Sequence, residues 1–225
     1  MPPRRQPKPE NEPRRARRDA VTRPTSIAQG EFAKSATTRA RILDASVTCL
    51  VEKGYHRIST NAVAIKAGLA RGAMLYHFPT RMDLIEATLY YVIEQRIEAY
   101  RDVMERQPRV KDGLDKAIDL YWEQIQEPYF TAFYELAFAA RTDPELAAIV
   151  KPALEAYDRQ RFEAARSIFP GLDTKLGDRF DLARDVTRFL MEGMALGFMT
   201  YDRDRRTNAL LRLLKKTLRT LHTKE

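Results

Sequence analysis

Cysteine, histidine and glycine are all scarce in this chain, and it contains no long apolar run. Its 225 residues include one cysteine, three histidines and nine glycines. The lone Cys49 excludes a disulfide within the chain, and the scattered histidines show no metal-ligand spacing, so we expect no metal and no cofactor. No apolar run approaches the ~20 residues of a membrane helix, and none follows the basic start as in a secretory signal. These absences predict a cytoplasmic protein that does not enter a membrane.

The first 36 residues differ in composition from the rest of the chain. They hold six of the 12 prolines and nine basic side chains against four acidic ones, with little that is apolar. Proline at this density disfavours helix, and a segment that cannot bury apolar surface stays unfolded. We therefore predict a disordered basic arm over residues 1–36. Two roles stay open for it: contact with DNA beside a recognition helix, or a solvated tail.

Sequence motifs of enzymes are missing as well. The chain has no glycine-rich phosphate loop, no HExxH or CxxC motif and no Ser/His/Asp arrangement. Gly68 and Gly72 stand between two predicted helices and not after a strand, which argues against a nucleotide loop. We therefore expect no catalytic residues. Two less favoured alternatives stay open: a helical-bundle enzyme using tyrosine and glutamate, and a non-specific nucleic-acid-binding protein that works through its arm.

From Thr37 onward every periodic segment has helical spacing, and no alternating strand pattern persists. Gly54 should end the first helix at Lys53, and Thr80 with Asp83 forms a capping box for the fourth. The fourth helix should end before Pro108. Five further helices are predicted at 112–127, 129–141, 144–169, 176–201 and 206–222. The fold class is therefore all-α, with nine helices.

Residues 58–82 have the pattern of a helix-turn-helix. Ser59 or Thr60 can cap a short helix, which Gly68 ends where a left-handed conformation is needed. In the second short helix, Met74 and Phe78 recur at the spacing of an inward face. Its outward side chains are Arg71, Ala73, Tyr76 and His77. Such a second helix enters the major groove of DNA.

The charge distribution supports DNA binding independently. Residues 37–82 carry seven basic and two acidic side chains, a net charge of +5. Residues 108–225 carry 20 basic and 19 acidic ones, a net charge of only +1. A compact basic module on a near-neutral body is the electrostatic pattern of phosphate binding.

Three segments together resemble the N-terminal domain of the tetracycline-repressor-like (TetR) family of bacterial regulators. They are RARILDASVTCLVEKGY (39–55), STNAVAIKAGLARGAMLYHF (59–78) and PTRMDLIEATL (79–89). The resemblance implies a DNA-binding domain at 37–82 and a ligand-binding and dimerisation domain at 83–225. It also implies a homodimeric repressor that a ligand releases from a palindromic operator, with an activator as the alternative. The chain departs from the family at Ala70, usually Ser or Thr, and at Leu75, usually a phosphate-contacting Tyr.

A residue-by-residue match to the family motif gives the expected DNA contacts. They are Ser59, Thr60, Asn61, Arg71, Gly72, Ala73, Tyr76, His77 and Arg81. Arg71 suits bidentate reading of a guanine, and Arg81, at the start of a helix, suits a phosphate. Because Leu75 replaces the usual tyrosine, Tyr76 and His77 must carry more of the backbone contact.

The sequence of the C-terminal domain, residues 83–225, predicts an effector site and a dimer interface. Its aromatic residues suggest a small apolar or aromatic effector, and a cationic one would suit the rings and Glu135. The candidate ligand contacts are Trp122, Tyr129, Phe133, Tyr134, Glu135, Phe162, Phe189 and Met194. The candidate dimer contacts are Gly193, Gly197, Leu210, Leu214 and Leu218, where paired glycines suggest a close helix approach. The simpler alternative is that these residues complete the subunit's own core, with Glu135 and Glu192 paired to helix neighbours.

Overall fold

The computed structural model describes residues 33–105, 113–168, 177–202 and 206–223. These ranges contain nine α-helices and one short 3-10 turn, η1, with no strand. The helices are α1 (Ala33–Lys53), α2 (Thr60–Lys66), α3 (Arg71–His77), α4 (Arg81–Glu105), α5 (Gly113–Gln124), α6 (Pro128–Ala139), α7 (Pro144–Ile168), α8 (Asp178–Gly197) and α9 (Arg206–Thr223), with η1 at Tyr55–Arg57. The predicted all-α fold class is therefore confirmed for the described residues.

Local sequence signals set most of the helix ends. Gly54 has a φ of 76°, a left-handed conformation that favours glycine, and it follows the last residue of α1. The Asp83 carboxylate accepts from the Thr80 backbone N–H at 3.1 Å, and Asp83 N–H donates back to the Thr80 hydroxyl at 3.0 Å. The capping box of α4 is thus present. Three boundaries were wrong by three residues or more. α1 begins at Ala33, so the last residues assigned to the arm are helical, and residues 1–32 lie outside the described part. α5 ends at Gln124 and not at 127, and α8 ends at Gly197 and not at 201.

The first hydrophobic core runs from the head, which we define as α1–α3 with the start of α4, into the body, which consists of the rest of α4 and of α5–α9. It joins α1, α2, α3 and the first half of α4 to α6 and α7. Leu84, Ile85 and Leu89 of α4 are fully buried in it together with Phe133 and Leu136 of α6. The long helix α4 therefore belongs to the head and to the body, and α6 of the body packs directly against α1 of the head.

Cys49 lies in the same core and is fully buried. Burial is the main cause that raises the pKa of its thiol, which keeps it protonated. The thiol therefore packs as a small apolar group.

A second core joins α5, α8 and α9 to parts of α4, α6 and α7. Leu211, Leu214 and Leu218 of α9 are buried in it. The prediction that Leu214 and Leu218 face a partner subunit was therefore wrong, because the stripe they share packs against their own α5 and α8. Within the described ranges, no helix is long and apolar enough to span a membrane.

Candidate nucleic-acid interface and effector site

Helix α3 presents one face to solvent and fixes the other in the first core. Met74 and Phe78 are 0% and 1% exposed, whereas the Tyr76 side chain is 81% exposed. The outward residues at the start of α3 are Arg71, Gly72 and Ala73, all exposed. The His77 ring is half-buried and lies edge-on against Tyr76, with ring centroids 5.2 Å apart. The helix thus offers a rigid, basic and aromatic face for a groove.

Helix α2 orients α3 through its own N-terminal cap and through the turn that joins the two helices. The Ser59 hydroxyl accepts from the Ala62 backbone N–H at 3.1 Å, so Ser59 is the N-cap. Its oxygen therefore already accepts one hydrogen bond from within the protein. Thr60 is half-buried and Asn61 is exposed. Gly68, with a φ of 63°, makes the left-handed turn between α2 and α3. Ala70 precedes α3 and provides no side-chain cap, as its identity implied.

Arg81 does not hold the position expected of a phosphate contact. Its Nη2 donates to the Tyr55 carbonyl at 2.6 Å, its Nε to the Ile58 carbonyl at 2.9 Å and its Nη1 to the Tyr55 hydroxyl at 3.2 Å. The guanidinium also lies 4.3 Å from the centroid of the Tyr55 ring. Arg81 therefore joins η1 to the start of α4, because its donors bond to the carbonyls of Tyr55 and Ile58.

Tyr55 is the point at which the head is bonded to the body. Its backbone N–H donates to the Glu135 carboxylate of α6 at 2.6 Å, and its hydroxyl donates to Asp143 at 2.6 Å. Asp143 also accepts from the Leu146 backbone N–H, and these bonds lower its pKa. We call Tyr55, Arg81, Glu135 and Asp143 the Tyr55 junction. Glu135, a predicted ligand contact, thus has a different partner.

A second polar group is buried deep in the body around Glu192 of α8. The carboxylate accepts hydrogen bonds from Arg96 (3.0 Å), Arg161 (3.4 Å), Arg188 (3.2 Å), Tyr121 (3.0 Å) and Tyr134 (2.7 Å). We call these six residues the Glu192 cluster. The Arg96 guanidinium lies between rings as well, 4.3 Å from the centroid of Phe133 and 5.2 Å from that of Tyr157.

The charges of the Glu192 cluster follow from its contacts. Burial alone would raise the pKa of Glu192, but the three arginines outweigh it and lower the pKa, so the carboxylate is ionised. Burial likewise opposes the charge of Arg161, but the surrounding tyrosines and Glu192 more than offset this and raise its pKa. One buried anion therefore pairs with three cations, and among the described residues only Arg188 of these three has a second carboxylate partner, Asp158.

A cavity opens beside this cluster between α4, α5, α7, α8 and α9, and the space within it that the centre of a water-sized sphere can occupy is about 100 Å³. Its polar lining comes from Arg161, Arg184, Arg188 and Thr187. Its apolar and aromatic lining residues are Tyr100, Leu114, Ala117, Ile118, Tyr121, Ala165, Phe180, Ala183 and Leu218. We call it the arginine-lined cavity.

The predicted ligand contacts do not line this cavity. Phe133 is buried in the first core, Tyr134 donates to Glu192, and Tyr129 lies edge-on to Tyr91. Trp122 packs edge-on against Phe198 in the second core.

The last three predicted ligand contacts lie elsewhere on the body. Phe162 stacks on the Arg184 guanidinium, and Phe189 is 66% exposed. Met194 is buried and lines a separate groove between α8 and α9. The aromatic residues predicted to contact a ligand therefore lie in the hydrophobic cores or at the surface.

The arginines and Tyr100 that surround the cavity were missed. Arg184, Arg188 and Glu192 recur at four-residue spacing, which places them on one face of α8. The sequence shows this spacing, but the spacing does not indicate whether that face of α8 lies at the surface or in the interior.

The predicted dimer residues divide into different environments. A side chain at Gly193 would meet open space, whereas one at Gly197 would collide with the Tyr201 side chain of the same subunit. Leu210 is half-buried against the second core. The expectation that another backbone approaches Gly197 thus fails in this subunit, because Tyr201 fills that space.

An exposed apolar stripe follows the outer face of α8. Its residues are Leu182 (56% exposed), Val186 (37%) and Phe189 (66%), and Leu213 of α9 is exposed by 59%. Large apolar side chains at this exposure on adjacent elements are typical of a surface that binds protein.

Comparisons with known proteins agree with this architecture. Residues 42–88 match the family model described as bacterial regulatory proteins of the tetR family. An uncharacterised HTH-type transcriptional regulator of Mycobacterium tuberculosis is 29% identical over 159 residues, 71% of this chain and 81% of the relative. The HTH-type transcriptional regulator CymR of Pseudomonas putida is 29% identical over 149 residues, 66% and 71% of the two chains. A TetR-like transcriptional regulator from Rhodococcus sp. RHA1 has a similar fold, with a TM-score of 0.60 at 19% identity over 84% of this chain and 98% of that chain.

Proposed function

This chain belongs to the TetR family of bacterial transcriptional regulators, and from that premise we propose that it is a repressor. It binds a palindromic operator as a homodimer, and a small molecule in the body releases it. The single observation that carries the DNA-binding part is the face of α3, where Arg71 and Tyr76 are exposed while Met74 and Phe78 are anchored.

Arg71 gives the test of the reader. A good bidentate contact to a guanine contributes about 1–3 kcal/mol of discrimination, so R71A should lose roughly 5- to 150-fold of preference for the operator over scrambled DNA. The measurement is fluorescence anisotropy on the DNA upstream of its own gene and on a scrambled duplex, at several salt concentrations. The matched control is K66A, which removes a charge from the adjacent α2 but from a side chain paired with Glu52 at 2.7 Å. Equal losses of preference in both variants would refute the assignment.

Helix α6 supports a route from the effector to the DNA. Adjacent residues of α6 bond to both polar groups: Tyr134 to Glu192, and Glu135 to the Tyr55 backbone. A ligand that shifts the Glu192 cluster would move α6 and, through the Tyr55 junction, the head. Release follows if the ligand-bound body holds the two heads at a spacing that does not match the half-sites.

The exposed stripe on α8, together with Leu213 of α9, supports the homodimer. A two-fold pairing of α8 and α9 with their copies would cover Phe189 and bring Gly193 close to a partner helix. F189D should give a folded monomer in sedimentation and a large loss of operator affinity. L182D is a second probe of the same stripe, and D178N, at the start of α8, is the control. A wild type that is monomeric at micromolar concentration would contradict this interface.

An activator of the same family is the alternative function. Transcription in vitro from the upstream promoter separates the two. The repressor lowers transcript when added and restores it with ligand, whereas an activator raises it.

A further inference from the structure

We propose that the arginine-lined cavity takes a small organic monoanion, a carboxylate attached to an apolar or aromatic body. This inference rests on the proposed function, because it names the effector class of the same regulator. It replaces the cationic or purely apolar effector that the aromatic composition suggested.

The charge around the cavity carries the anionic half of the proposal. Arg161, Arg184 and Arg188 line it, and among the described lining residues there is no carboxylate. Within the described ranges, three carboxylates pair with these arginines, and none of them lines the cavity itself: Asp158, which bonds to Arg188, lines the small adjoining pocket. Glu192 is shared with Arg96, and Arg184 bonds to its sequence neighbour Asp185, which is 39% exposed. The lining therefore carries three arginines and no carboxylate, a local excess of positive charge that attracts an anion and repels a cation.

The chemistry of the donors favours a small planar anion. A guanidinium matches a carboxylate with two parallel N–H donors, and such pairs are the strong class of hydrogen bond. The Tyr100 side chain is 9% exposed and lines the cavity, and its hydroxyl makes no hydrogen bond within the described part of the chain. Tyr100 can therefore donate to the same carboxylate.

The remaining wall is apolar and partly aromatic. Leu114, Ile118, Phe180 and Leu218 line the side of the cavity formed by α5, α8 and α9. This surface would bury a ring or a short alkyl chain, and a second charge on the ligand would meet no partner there. A monoanion with an apolar body fits better than a phosphate or a dianion.

Calorimetric titration of the full chain with four probes tests the class. The probes are 3-phenylpropanoate, octanoate, 3-phenylpropanamide and 3-phenylpropylamine. At least one carboxylate should bind at least tenfold more tightly than the neutral amide, and the amine should not bind. Equal binding of amide and carboxylate, preference for the amine, or no binding of either carboxylate up to millimolar concentration would overturn the proposal.

Variants locate the site. R184Q and Y100F should each weaken carboxylate binding about tenfold, because each removes a donor to the anion. The matched control is R159Q, which removes the same charge from an exposed position on α7 and should bind as the wild type does. Arg161 is avoided because it holds the Glu192 cluster together. Circular dichroism must show that both variants are folded, and folded variants that bind with wild-type affinity would overturn the assignment.

Binding and release are measured separately, so the two proposals can fail separately. If a carboxylate binds with the expected preference and the operator complex is unaffected, the ligand class stands and ligand-released repression fails. If the amine both binds and releases the DNA, the ligand class fails and the repressor stands.

Discussion

Replacing Glu192 by glutamine removes the central negative charge of the Glu192 cluster and keeps nearly the same volume. The Glu192 side chain is 4% exposed, and those of Arg96 and Arg161 are 6% and 9% exposed. In the described part of the chain, neither of these two arginines has another carboxylate partner. E192Q therefore leaves two buried cations without a counter-ion.

The cost can be worked from this geometry. Breaking a buried ion pair by removing one partner destabilises a protein by about 3–5 kcal/mol. The rings around Arg96 return part of that, since a desolvated cation–π contact contributes about 1–2 kcal/mol. We expect a loss near 3 kcal/mol, which for a chain of this size corresponds to a fall in Tm of roughly 6–12 °C.

Urea denaturation followed by circular dichroism, at one fixed protein concentration, measures the loss. The control is D119N, which breaks the surface pair between Lys215 and a carboxylate that is 52% exposed. Such a pair contributes about 0–1 kcal/mol. A loss below about 1 kcal/mol in E192Q, or one equal to that of D119N, would refute the view that Glu192 is the counter-ion of the buried arginines.

The same variant has a defined pH dependence. The folded state lowers the pKa of Glu192, so its contribution to stability is present above the unfolded value, about 4.3, and is lost as the pH falls through the folded value. The difference between wild type and E192Q should be constant near neutral pH and should shrink below about pH 4.3. A difference that persists unchanged at low pH would mean that the ionised carboxylate is not its source.

Four further substitutions separate structure from function. R81A should destabilise the head by about 1–3 kcal/mol in urea, because buried carbonyls lose their donors, and a stable R81A with weakened binding to all DNA would restore the phosphate role. L214A should cost about 2–5 kcal/mol in the same assay because Leu214 is 2% exposed, whereas L213A should leave monomer stability within about 0.5 kcal/mol and weaken self-association in sedimentation. E135A should leave ligand affinity intact but reduce ligand-driven release from the operator in anisotropy, because the bond to Tyr55 is lost; wild-type release would remove the Tyr55 junction from the route.

Local chemistry in the sequence determined several of the helix ends and which face of α3 is exposed. Gly54, the Thr80–Asp83 box and Pro128 act on backbone groups within a few residues, so their effect does not depend on the rest of the fold. The periodicity of Met74 and Phe78 likewise fixes which residues of α3 share the buried side. Each of these features depends on residues of a single helix or turn, so the sequence alone is enough to predict it.

The tertiary structure alone decided what each face meets. Periodicity shows that Leu214 and Leu218 share a stripe, but only packing assigns that stripe to the subunit's own core. Arg96 and Glu192 are 96 positions apart, and no local pattern pairs them. The same holds for Arg81, whose charge suits a phosphate or a carbonyl equally well until η1 is placed beside it. Long-range pairing is chosen by how all the helices pack together, so the identity of a side chain limits its possible partners without selecting one.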